Sequence, residues 1–176
     1  MFVLFKSKDP QVKVIDKVWI SQSGKLNACR QMAQANPSTI FIAWFEETRN
    51  EILATLPESV VLLAKDASAD SVRNKLVVFV EHHPLVDEEQ SVYKRLYLKE
   101  APGLSALDEP FFMKFGGERL IDVMKKMGMN EDEVIGHSMI TKSIRRAQEK
   151  IGKNVRSGRI DAPSQGQWLV ANLSAL

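Results

Sequence analysis

Thr39–Ala64, TIFIAWFEETRNEILATLPESVVLLA, decides the fold. Residues 39–45 are an almost unbroken apolar run, the pattern of a strand buried on both faces. Thr48 followed by Glu51 has the spacing of a capping box. Ile52, Leu53 and Leu56 then supply an apolar helical face, which Pro57 ends. Val60–Ala64 is a second β-rich run. Strand, helix and strand in this order predict parallel neighbours joined by a right-handed crossover.

The same alternation extends outward. Lys17–Ile20 reads as a strand stopped by Ser21–Gly24, and Leu26, Cys29, Met32 and Ala33 recur at helical spacing up to Asn36-Pro37. Leu76–Val80 is a fourth strand, with a short helix expected from Ser68 in the polar stretch before it. Leu85–Glu100 reads as a charged helix broken by Ala101-Pro102-Gly103. Beyond lie a helix through Leu120, Ile121, Met124 and Met127 that stops at Gly128, and an acidic connector, Asn130–Glu133. Ile140, Ile144, Ala147, Ile151 and Val155 form an apolar stripe, and a last short helix is expected around Trp168-Leu169-Val170. The expectation is an α/β fold with a mostly parallel sheet over 1–105. A helical extension over 106–176 packs on it to make one globular unit.

Composition narrows the function. The 176 residues are 44% hydrophobic and 26% charged, enough to bury a real core, and the net charge of +2 makes no case for nucleic acid. One cysteine, Cys29, excludes an internal disulfide and suits a reducing, cytoplasmic setting. Only a handful of apolar residues precede Lys6, too few for a signal core or a membrane span.

Two short motifs invite chemistry. Ser23-Gly24-Lys25 suggests a phosphate loop, but position 19 is Trp19 rather than glycine, and Leu26 stands where a Ser or Thr would hold magnesium. A small anion at that helix N-terminus is what remains of the idea. Glu81-His82-His83-Pro84 follows a strand, at the edge where open α/β sheets place ligands. Adjacent histidines in extended chain point to opposite sides, so one metal ion cannot readily take both. If the two loops line one pocket, they should converge, and His82 or His83 should have a shifted pKa. Asp87-Glu88-Glu89 and Asp108-Glu109 read as solvated charges near helix starts. Lys142, Arg145, Arg146, Lys150 and Lys153 give the helix around Ile144 a basic face, without the aromatic interleaving that base stacking needs. With the Phe111, Phe112 and Phe115 cluster it is a candidate docking surface for a protein partner. Its apolar stripe leaves homo-oligomers open.

Order and spacing in the second half carry a resemblance. Leu107-Asp108-Glu109-Pro110-Phe111-Phe112, Phe115-Gly116-Gly117-Glu118-Arg119-Leu120, Met127-Gly128-Met129 and Met139–Gln148, with its Ile144-x-x-Ala147-Gln148 core, together resemble SecA. The likeness is to the end of the second motor lobe of that export ATPase and the start of its helical scaffold. Val60–Lys65 matches in outline. The resemblance implies a Rossmann-like, three-layer lobe of the RecA type. The Walker motifs are missing, however, and Phe79–Leu98 replaces the family's glycine-arginine run. No catalytic residue and no cofactor is therefore carried over; what the resemblance implies is a stand-alone, degenerate relative linked to protein transport.

Overall fold

Five strands, β1 (Lys13–Trp19), β2 (Thr39–Ala43), β3 (Val60–Leu63), β4 (Leu76–Phe79) and β5 (Glu100–Ala106), make one sheet in the computed structural model, which describes residues 10–155 and 158–173. Their order is β1-β5-β4-β2-β3 and every pair is parallel. The described helices are α1 (Gln22–Ala35), α2 (Glu46–Thr55), α3 (Val86–Arg95), α4 (Pro110–Met113), α5 (Gly117–Lys126), α6 (Ser138–Asn154) and α7 (Gln165–Asn172). The fold is α/β and Rossmann-like, as the alternation implied. Residues 1–9, read above as too short for a membrane span, lie outside the described residues. Among the described residues no helix is long and apolar enough to cross a membrane.

The connections explain the layers. β1–α1–β2 and β2–α2–β3 advance one way along the sheet, and β4–α3–β5 returns the other way. With a common right-handed crossover, α1 and α2 must cover one face and α3 the other. Alternate residues of β2 separate accordingly. Phe41 and Ala43 pack with Cys29 and Ile52, whereas Ile40 and Ile42 pack on the face of Val92 and Tyr93. A third core lies beyond the carboxyl ends of the strands, where Phe111, Ile144, Ile151, Trp168 and Leu169 meet Val18 and Phe45.

Three expectations need correction. Ala101-Pro102-Gly103 does not break a helix; it lies inside β5, paired along β1 from Lys13↔Glu100 to Trp19↔Ala106. The preceding helix ends at Arg95, and the chain turns through Tyr97 at φ 54, its ring 84% exposed. The Asp66–Lys75 stretch is a series of turns rather than a helix from Ser68. β5 joins β4 through the single pair Phe79↔Gly103, as suits a segment whose proline has no N–H and whose glycine has no side chain to pack. The boundary drawn between 105 and 106 falls at the end of this strand.

Candidate functional site

Parallel α/β topology brings helix N-termini to the carboxyl edge of the sheet, where free N–H groups and the helix dipole attract anions. Here the chain's own carboxylates fill these places. At α1 the N–H of Gln22 donates to both oxygens of Asp108, at 2.9 and 3.1 Å, and Ser21 accepts from the Gly24 N–H. At α2 the N–H groups of Trp44 and Phe45 donate to Glu81 Oε1, at 3.0 and 3.1 Å. The Thr48 hydroxyl donates to Glu81 Oε2 at 2.8 Å, so Thr48 serves an acid from another strand end instead of capping its own helix. In the loop just before α3 the N–H of His83 donates to Glu89, itself near the start of that helix, at 2.9 Å.

Beneath these caps sits a buried charge cluster. Lys25 Nζ donates to the Val80 carbonyl at 2.8 Å and to Glu109 Oε1 at 2.5 Å. Burial alone would strip the Lys25 proton, but the Glu109 carboxylate overrides it, and the pKa rises. His82 lies between two acids. Its Nδ1 is 2.8 Å from Glu89, and its Nε2 is 3.0 Å from Asp16 Oδ1, an ion-pair contact that is not aligned as a hydrogen bond. Burial favours neutral His82, yet Glu89 and Asp16 together hold its pKa well above the usual value. Burial also raises Asp16, and its close pairing with charged His82 outweighs it, leaving Asp16 below the usual carboxylate range. Desolvation pushes the buried Glu81 carboxyl up to about 7. Burial lowers His83, whose ring stacks on Phe45 and meets Trp168 edge-on. Gln165 and Gln148 donate to the carbonyls of His82 and His83, both at 2.9 Å, fixing α7 and α6 over this edge.

The two loops singled out in the sequence therefore do come together, and both histidines are shifted, in opposite directions. Their groups face inward. Lys25 is 1% exposed, Glu81 3% and His82 2%, and only Ser23 is fully exposed. Gly24 is covered by the acidic connector: a Cβ there would stand 2.0 Å from the Glu131 carbonyl oxygen. Ser21 bonds Glu131 and Asn27 bonds Asp132, holding the connector in place. The small-anion reading of Ser23-Gly24-Lys25 is corrected accordingly, since the lysine amine is turned into the core. Cys29 is buried and its thiol pushed up to about 11 by desolvation, as suits a core side chain. No group of three or more His, Cys, Asp or Glu arranged to hold a metal ion is found among the described residues.

The docking residues divide. Phe111 is 1% exposed and belongs to the third core, not to a surface. Phe112 and Phe115 are half-buried and line a trough of about 870 Å³ between α5 and α6. Lys142, Arg146, Lys150 and Lys153 are exposed, while Arg145 is half-buried near Glu149. Ile144 and Ile151 of the α6 stripe are buried against the third core, while Ile140 and Ala147 line the trough. Sequence reasoning missed Asp16, Glu89 and Glu109 as cluster members. Asp16, an acid inside the run Val14–Val18, was the one signal available.

No protein-family model matches the chain. The protein translocase subunit SecA of Christiangramia forsetii is 38% identical over 82 residues, covering 44% of this chain and 7% of that protein. SecA of Chlorobium phaeobacteroides is 54% identical over 46 residues, covering 26% and 4%. That of Brachyspira hyodysenteriae is 29% identical over 168 residues, covering 85% and 16%. This chain is related to segments of SecA. It spans at most 16% of the length of these SecA relatives.

Proposed function

We propose that this chain is a non-catalytic SecA-like module that acts through protein–protein contacts in the cytoplasm, in connection with protein export. One observation carries the reading. At the sheet edge where an α/β nucleotide site would form, Asp108, Glu81 and Glu89 take the N–H groups that phosphates would need. A nucleotide arriving there meets carboxylates and two packed helices, and Lys25 is turned into the core. The exposed cations of α6 and the aromatic trough beside them supply the docking surface.

Photo-crosslinkers at Lys142 and Lys153 in the native host test it. The expected result is a defined protein adduct, lost when Arg146 and Lys150 are changed to Glu. Hydrolysis of ATP by the purified chain, or adducts unchanged by the charge reversal, overturns the reading. A second reading, a small α/β ligand-binding domain, is favoured by the convergence of Ser21–Lys25 with Glu81–His83. It requires the connector to lift off Gly24. A thermal-shift screen with phosphate, nucleotides and divalent metals decides it, a flat response removing it.

A further inference from the structure

The trough between α5 and α6 holds about 870 Å³, and its lining is mostly apolar, with Phe112, Phe115, Leu120, Val123, Met124 and Ile140. Leu120 is 41% exposed and Val123 44%, so the wall of α5 faces open space, and Met139 stands at the mouth. Its shoulders are basic. Over 114–126 and 138–154 the chain carries nine Lys or Arg against three Asp or Glu. Arg119 lines the wall, and the Lys150 ammonium sits 5.7 Å from the Phe115 ring centroid.

We propose that this trough takes an amphipathic helix of a protein partner, its apolar stripe on Phe112, Phe115 and Val123 and its carboxylates along the cationic shoulders. The inference rests on the docking reading above and names the chemistry of the partner. Shape and charge select the occupant. A helix some ten ångströms across fits between two helical walls, whereas a flat bilayer cannot reach the buried Phe111 and Ile144 that also line the trough. The cations favour an acidic partner and repel a basic one. A second copy has little to offer, because acidic α3 keeps Glu89, Val92 and Tyr93 buried against its own sheet.

The test uses the full chain and two synthetic helices with leucines at three- and four-residue steps, one with glutamates between them and one with lysines. Fluorescence anisotropy is expected to show the glutamate helix binding at least about tenfold tighter, a preference that shrinks with salt. Val123→Glu and Met139→Glu, both at exposed positions, abolish binding with the thermal midpoint unchanged, and Lys150→Glu narrows the preference. Equal binding of the two helices, or binding that survives Val123→Glu, overturns the inference. So does a dimer in light scattering that Val123→Glu dissolves. So also does trough-dependent binding to vesicles of equal parts phosphatidylcholine and phosphatidylglycerol without peptide binding. If the peptides fail while crosslinks from Lys142 persist, this inference falls and the broader docking reading stands.

Discussion

Lys25 and Glu109, 84 positions apart in the chain, meet at 2.5 Å with side chains 2% and 5% exposed. The contact ties the first turn of α1 to the end of β5. Their charges lie too deep for solvent to share, so each depends on the other.

Removing one partner leaves an uncompensated charge. Lys25→Met is expected to cost about 3–5 kcal/mol of unfolding free energy, measured by urea denaturation. Lys25→Met combined with Glu109→Leu should recover most of that loss, because an apolar pair of similar volume needs no counter-ion.

Glu81 sets a pH dependence. Its folded value, about 7, lies above the ordinary 4.5. The folded chain therefore binds this proton more tightly, and the associated stability is full below about pH 4.5 and drains as pH rises to 7. The gap amounts to about 3 kcal/mol. His82 acts with the same sign higher up: its contribution is whole below about 6.5 and is lost as pH passes its raised folded value. Asp16 opposes both, adding stability above its ordinary value and losing it as pH falls through its lowered one. Glu81→Gln keeps an oxygen to accept from the Trp44 and Phe45 N–H groups, turns an amide N–H toward the Thr48 hydroxyl oxygen, and does not titrate. Thermal midpoints of this variant should decline less steeply than those of the wild type between pH 4.5 and 7, the rest of the decline coming from Glu109, whose pKa burial also raises.

Gly24→Ala should displace the acidic connector, because its Cβ would collide with the Glu131 carbonyl oxygen. The expected cost is about 1–3 kcal/mol. Limited proteolysis should then cut within 130–136 faster than in the wild type.

Trp168 anchors α7 over His83 and is 4% exposed. Trp168→Ala is expected to cost about 3–5 kcal/mol. Urea denaturation measures the loss.

The layers of the fold were legible because burial leaves a period. Phe41 and Ile42 face opposite cores, and Leu26, Cys29, Met32 and Ala33 face one of them. β5 was illegible because a proline and a glycine signal a turn locally, whereas pairing with β1 overrides that preference. The site was legible only as two loops. That Lys25 points inward depends on Glu109, and that His82 is charged depends on Asp16 and Glu89, contacts no local spacing encodes. Adjacent acids such as Asp108 and Glu109 looked alike in the sequence, yet one caps α1 and the other neutralises Lys25.

The lone Phe79↔Gly103 pair makes the sheet two ribbons stitched at one point, β1 with β5 and β4 with β2 and β3. The imidazole of His82 crosses that stitch to reach Asp16, passing over Gly103, where a Cβ would stand 3.6 Å from the ring and 3.2 Å from Asp16. Charge thus does across the middle of the sheet what ladder bonds do elsewhere. Amide protons along the seam should exchange with deuterium earlier than those inside either ribbon, and the molecule should tear down its centre before it frays at its margins.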